Sequence, residues 1–264
     1  MAMDLLSNLA QVPAFAGAAP EHLVGLAGGS QLRRFRPREI ITQTPGAREE
    51  CHLVLNGRVK LSARARNGHP MFLHVCRPRE LFFSEQFLRS GGPQIEAEAL
   101  EATQIVSISQ ATMQRFLQHH PPTCGRLLLQ EAALKGILLD RLSEIVSLHV
   151  PERLGRFLVC VGKRYGTKRA DVTVHLDLGL THQELANSIG TSRETATTLI
   201  NELKAKGLLT VGRKTITLLD LAALEQIGVD PARVSLATGT TTRHESLLPV
   251  STPGAARVPA PTAR

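Results

Sequence analysis

The chain has no tryptophan and a single tyrosine, and aromatic residues make up 3% of its 264 residues. That scarcity argues against a single-strand nucleic-acid binder, which needs aromatic faces on which bases can stack. Its four cysteines, Cys51, Cys76, Cys124 and Cys160, stand far apart with no Cys-x-x-Cys spacing. No zinc knuckle or cysteine-rich iron–sulfur motif is therefore visible, and scattered thiols fit a reducing compartment. No apolar run approaches the roughly 18 residues needed to cross a bilayer, and no signal-peptide pattern opens the chain. The expected location is cytoplasmic, with no membrane partner. Also missing are a phosphate-binding Gly-Lys loop, a His-Glu-x-x-His pair and a nucleophile elbow, so no enzyme is expected.

What is present begins with charge. Thirty-one Lys and Arg against 23 Asp and Glu leave a formal net charge of +8, which favours polyanionic partners. The excess is spread along the chain and so locates nothing. The segment from Leu180 to Ile200 is far more specific. Thr181-x-x-Glu184 and Thr191-x-x-Glu194 each fit a capping box, in which a hydroxyl and a carboxylate satisfy two orphan helix amides reciprocally. Gly190 between them can take a positive φ, and Ala186 is small enough to let the helices pack closely. Leu185, Ile189, Ala196, Leu199 and Leu203 supply the apolar stripe. Caps, turn and periodicity agree on a helix-turn-helix, whose second helix can enter a DNA major groove.

Elsewhere the pattern changes twice. Short helical pieces, with leucines at 5, 6, 9, 23 and 26, occupy residues 1–30. From Gln31 to about Ser109 the chain reads as short strands: Glu39–Thr42, His52–Leu55, Arg58–Leu61 and Gln104–Ile108. Turn signals separate them at Pro45-Gly46, Asn56-Gly57, Asn67-Gly68 and Gly91-Gly92-Pro93, and Asn56-Gly57 is the strongest hairpin signal. Strands of this length and spacing predict a barrel or double-sheet roll. A short helix from Ser109 and a long one from about Thr123 to Leu148 follow. Leu127, Leu134, Leu138, Leu142 and Ile145 form a stripe on the long helix that fits two-fold pairing with a second copy. A helix from Glu152 to about Tyr165, a strand pair near Val172–Leu176, the helix-turn-helix and a strand pair around Gly212-Arg213-Lys214 complete the pattern. Past Gly228 the sequence is rich in Thr, Pro, Ala and Arg without periodicity and is expected to be disordered.

In that order, roll, long helix and winged helix-turn-helix resemble the cyclic-AMP receptor protein/fumarate-nitrate regulator (CRP/FNR) family of bacterial transcription factors. The resemblance runs from about residue 10 to about residue 225. It rests on Pro37-x-Glu39-x-Ile41, Pro45-Gly46 and Leu53-x-Leu55-x-Gly57-x-Val59-x-Leu61 in the roll. In the C-terminal part it rests on Leu180-Thr181-x-Gln183-Glu184-Leu185-Ala186, Gly190-x-Ser192-Arg193-Glu194-Thr195 and Gly207-Leu208-Leu209. The layout around Asp177-Leu-x-Leu-Thr-His-Gln183 is also similar to the cyanobacterial nitrogen regulator branch. The implied fold is α+β: a cyclic-nucleotide-binding-like jelly roll over 1–110, helices including the dimerisation helix over 111–149, a winged helix-turn-helix over 150–227, and a tail over 228–264.

The family implies a homodimer that reads palindromic double-stranded DNA and places or blocks RNA polymerase. Arg193, Glu194, Thr197 and Thr198 occupy base-reading positions: an Arg fork takes guanine O6 and N7, and a carboxylate takes the cytosine N4 amine. Thr198 stands where the family often has a second Arg, which implies a half-site related to TGTGA but relaxed at one base. Thr181, His182, Gln183, Ser192, Thr195 and Lys214 are the candidate phosphate contacts. The family's nucleotide pocket aligns with Ser84 and Glu85, and Arg89 and Ser90 fall a few residues before the second half of that motif. Leu138 and Leu139 replace the polar base contacts, and Leu134 replaces the nitrogen regulator's Arg for its oxo-acid. Cyclic AMP is thus a possible effector whose usual contacts are largely absent, and effector-independent action or a non-standard effector is the leading expectation. The alternatives are a cyclic-nucleotide-responsive regulator of the same family, or a ligand-sensing module whose helix-turn-helix docks protein. His74 and Cys76 share one face of a strand, which raises haem. Two residues make a weak motif, and neither haem nor metal is expected.

Overall fold

A computed structural model describes residues 2–41, 50–64, 68–82, 95–169 and 173–227. Two helices open the chain, α1 (Ala2–Ala10) and α2 (Pro20–Gly28), joined through a single 3-10 turn at Pro13–Phe15. Seven strands follow among the described residues: β1 (Ser30–Phe35), β2 (Glu50–Asn56), β3 (Val59–Arg64), β4 (Pro70–Cys76), β5 (Leu81–Phe82), β6 (Ile95–Ala99) and β7 (Thr103–Ser109). They pair antiparallel into two sheets, ordered β1-β7-β2-β5 and β4-β3-β6. Successive side chains of β2 and β7 alternate between two cores. Val54 and Ile105 meet Val59 and Ala97 between the sheets, whereas Leu53, Val106 and Ile108 face Leu9, Phe15 and Leu26 of the N-terminal helices. Both faces are covered, which is why these strands read as nearly continuous apolar runs.

The Asn56-Gly57 turn does not make the expected hairpin. β2 pairs with β7 and β5, and β3 pairs with β4 and β6, so the flanking runs lie in different sheets and the dipeptide turns a corner. Gly57 sits at φ +82°, and a Cβ there would come within 2.5 Å of Thr103 Oγ1. Glycine is therefore required by backbone conformation and by the close passage of β7. The described part of the Glu39–Thr42 run is likewise no strand: Ile40 makes an isolated bridge to Glu98. The turns at Pro45-Gly46 and Gly91-Gly92-Pro93, and the tail beyond Ile227, lie outside the described residues.

Ser109 accepts from the Thr112 amide and so caps α3 (Gln110–His119), after which α4 (Pro122–Ser147) runs for 26 residues. Leu127 packs on the N-terminal core and Leu134 is half-buried. The open seam lies one step round the helix: Leu128, Ala132, Lys135, Leu139, Leu142 and Val146 recur at alternating spacings of four and three, and all are exposed. That is an a/d heptad repeat, with Leu138 and Ile145 on its flank.

The C-terminal part comprises α5 (Val150–Tyr165), β8 (Thr167–Lys168), β9 (Val174–Leu176), α6 (His182–Ser188), α7 (Arg193–Ala205), β10 (Leu209–Gly212), β11 (Thr215–Leu218) and α8 (Leu221–Ile227). Its strands form one sheet, β10-β11-β9-β8. Its core includes Leu158, Leu185, Ile200 and Leu218, and also Phe72 and Val75 from β4 of the roll.

His52 on β2 is fully buried, with Nδ1 3.0 Å from Ser107 Oγ and its ring 5.1 Å from that of Phe82. Burial, with a smaller contribution from the Arg33 charge, pulls its pKa down to about 4. Between that value and the ordinary 6.5 the unfolded chain binds the proton and the folded chain does not, so stability falls as pH falls. At 1.36 kcal/mol per unit this one residue is expected to remove on the order of 3 kcal/mol between pH 6.5 and pH 4. Urea unfolding across that range should show the loss, and His52→Gln should flatten it; an equally steep decline in the variant would assign the effect to other groups.

Candidate nucleic-acid interface

The first capping box forms as its spacing predicts. Thr181 is extended, its Oγ1 accepts from the Glu184 amide at 3.1 Å, and Glu184 Oε2 accepts from the Thr181 amide at 2.9 Å. Gly190 makes the turn at φ +65°, and Ile145 of α4 lies 3.6 Å from where its Cβ would be. The second cap is shifted by one residue from expectation. Ser192, not Thr191, is the extended residue whose hydroxyl accepts from the Thr195 amide, and α7 begins at Arg193. Glu194 is therefore one position too early to close a box. Its carboxylate is held below the usual carboxylate range by its own backbone amide first and by the Ser192 hydroxyl second, so it is ionised at neutral pH.

Arg193, Glu194 and Thr198 are all exposed on the first turns of α7. Thr197 is less open: its hydroxyl lies 3.0 Å from His182 Nδ1 and donates to the Arg193 carbonyl, so it also ties α7 to α6. Of the candidate phosphate contacts, Thr181, Ser192, Thr195 and Lys214 are exposed, and His182 and Gln183 are half-covered. Gln183 donates to Asn187 Oδ1 at 3.1 Å. Lys214 adopts φ +62° at the tip between β10 and β11 beside exposed Arg213, a conformation that costs an L residue roughly 1–2 kcal/mol. The candidate effector residues Ser84, Glu85, Arg89 and Ser90 lie outside the described residues.

The helix-turn-helix is held in place by contacts that leave no pattern in the sequence. Glu184 uses its other oxygen, Oε1, to accept from Lys60 Nζ of β3 at 2.7 Å, and Lys60 also meets Glu98 of β6 at 2.8 Å. The Lys60 and Glu184 side chains are each 5% exposed. Strand β4 lies at the edge of its sheet, and its free backbone groups are taken up by the C-terminal part and α4. Asn187 donates to the Pro70 carbonyl, Ser188 Oγ accepts from the Phe72 amide, and Arg141 donates to the Phe72 carbonyl, all at 2.9–3.1 Å. Arg153 of α5 collects the Leu148 carbonyl at the end of α4 and the Ile189 and Gly190 carbonyls at the helix-turn-helix turn. A lysine within an apolar strand, or an arginine after a proline, carries no spacing signal; only the fold joins them to the motif.

An exposed Arg-Glu pair at the start of a helix-turn-helix second helix, a basic wing and a double-sheet roll define a DNA-binding transcription regulator with a nucleotide-sensor-type domain. Residues 32–120 match the cyclic nucleotide-binding domain and residues 152–227 the Crp-like helix-turn-helix domain, together more than half of the chain. The chain belongs to the CRP/FNR family. It is 21% identical over 212 residues to the CRP-like cAMP-activated global transcriptional regulator of Mycobacterium tuberculosis, covering 80% of this chain and 94% of that protein. It is 26% identical over 199 residues to the global nitrogen regulator of Synechococcus elongatus, covering 74% and 89%. A CRP/FNR-family transcriptional regulator from Thermus thermophilus shares the fold with a TM-score of 0.57 at 24% identity, covering 76% of this chain and 99% of that one. None of the helices is long and apolar enough to cross a membrane among the described residues.

Removing Lys60 leaves two carboxylates facing each other in a buried junction. Lys60→Met is expected to lower unfolding stability by about 3–5 kcal/mol, the usual cost of breaking a buried ion pair from one side. Denaturant titration checks this, and a loss under about 1 kcal/mol would mean that the pair contributes no more than a surface contact.

Proposed function

We propose that this chain acts in the cytoplasm as a homodimer that reads a palindromic, TGTGA-related operator in double-stranded DNA and there recruits or blocks RNA polymerase. The observation that carries the reading is the exposed first turn of α7, with Arg193 and an ionised Glu194 side by side. Arg193 would fork guanine O6 and N7, and Glu194 would accept from cytosine N4. Thr198 donates to the Glu194 carbonyl and offers no charged fork, which supports relaxed selectivity at one base of each half-site. Thr181, Ser192, Thr195, Lys214 and the half-covered His182 and Gln183 would contact phosphate and set the register.

Two-fold assembly is supported by the exposed heptad seam of α4, in which Leu128 is 69% and Val146 83% exposed. Pairing two such seams would bury them and set two α7 helices about one duplex turn apart, roughly 34–36 Å. Leucines at 134, 138 and 139 supply no hydrogen bonds to a nucleotide base or an oxo-acid, which supports action without those effectors.

Gel shifts on a TGTGA palindrome test the reading. Arg193→Ala is expected to lose about 1–3 kcal/mol on the cognate site, whereas Lys214→Ala should weaken all sequences alike and flatten the salt dependence. Added cyclic AMP should leave affinity unchanged; strong activation by it would restore the nucleotide-responsive alternative. Binding that ignores sequence and the Arg193 substitution would sink the proposal. In a separate measurement, Leu139→Glu with Leu142→Glu should convert the dimer to monomer in analytical ultracentrifugation, and an unchanged mass would move the interface elsewhere.

A further inference from the structure

The end of β4 and the turn that follows bring a third group, Glu80, beside the His74 and Cys76 pair that one strand already carries. His74 and Cys76 alternate onto one side of the strand. The chain then reverses through a turn in which Glu80 N donates to the Arg77 carbonyl, and Arg79 takes φ +75°. Glu80 returns beside the strand, with its carboxylate 3.5 Å from His74 Nε2. One ligand atom from each of His74, Cys76 and Glu80 lies within 4.8 Å of the others. Tyr165 of α5 stands behind His74, its hydroxyl 2.8 Å from Nδ1, which leaves Nε2 on the side of the Glu80 carboxylate.

We propose that His74, Cys76 and Glu80 form a transition-metal site of the zinc class, with Tyr165 as its positioning residue. An imidazole, a thiolate and a carboxylate are the mixed donor set that a borderline divalent ion accepts in tetrahedral geometry, with water in the fourth place. Ligand atoms of a tetrahedral zinc ion stand about 3–4 Å apart, so the three groups need only small side-chain shifts to close on it. Binding replaces the thiol proton by the metal and releases that proton to solvent. His74 and Cys76 belong to the roll and Tyr165 to the DNA-binding part, so the ion would sit at the junction between them. A metal that requires the Tyr165–His74 bond also favours the docked arrangement, by the same factor in each direction.

The test uses the full chain, stripped with chelator and titrated with Co²⁺. One equivalent is expected to give a near-ultraviolet thiolate-to-cobalt band that Zn²⁺ abolishes. Cys76→Ser should lose the band, and the double variant of the exposed cysteines, Cys124→Ser with Cys160→Ser, should keep it. Tyr165→Phe is expected to weaken Zn²⁺ binding about 10–100-fold, the usual effect of removing a group that orients a ligating histidine. If Cys76→Ser fails to fold, Glu80→Gln on the half-exposed turn carries the test, with a loss of roughly tenfold or more expected. No band in the native chain, a band that survives Cys76→Ser, or an affinity unchanged by Glu80→Gln would overturn the site and leave a hydrogen-bonded network only.

Discussion

The buried contact of Lys60 with Glu184 and Glu98 is the constraint on which the rest of the arrangement depends. A lysine taken out of water inside a sheet needs compensation close to its full hydration, and two carboxylates at 2.7–2.8 Å supply it. One of those carboxylates is also the third helical residue of α6, where it closes the cap of the first helix of the helix-turn-helix. A single side chain thereby connects the start of the helix-turn-helix to the middle strand of a sheet in the roll. Moving α6 away from the roll leaves its own cap intact but parts Glu184 from Lys60 and strands buried charge, so the contact resists small movements of the helix.

Around that contact the other junction groups act in the same direction. Among the described residues the outer edge of β4 has no neighbouring strand, and Asn187, Ser188 and Arg141 take up its amides and carbonyls. Arg38 lies so close to Gly179 that a Cβ there would come within 1.5 Å of its guanidinium, and it also meets Asp177 and Glu98. Arg153 gathers carbonyls from the end of the long helix and from the turn at Gly190. The position of α7 is thus referenced to the roll and to α4 together, which is the coupling a regulator needs if events in one part are to alter DNA reading in another.

Much of this was legible in the sequence, and the failures have physical causes. The Thr181 capping box and the Gly190 turn are legible because each depends on residues within four positions of one another. The second cap moved from Thr191 to Ser192 because two adjacent hydroxyls satisfy the same local chemistry, and only the chain's exit from the turn chooses between them. Asn56-Gly57 signals a hairpin that does not form because a local preference for positive φ cannot tell whether the strands on either side will pair. On α4 the leucines are so numerous that several stripes fit, and packing of Leu127 onto the N-terminal core selects the outward one. Lys60, Arg141 and Arg153 were invisible because their partners lie far along the chain or on the backbone.

Phe72 belongs by sequence to the roll, yet it is fully buried among residues of the C-terminal core, edge-on to the rings of Phe157 and Tyr165. The DNA-reading unit therefore does not end at the covalent boundary after the long helix. A graft that moved residues 150–227 onto another member's sensor would carry an aromatic socket without its plug. Exchange of this chain's modules is then limited less by the linker than by the strand its sensor contributes to the reader, and β4 would have to travel with the helix-turn-helix or be matched to it.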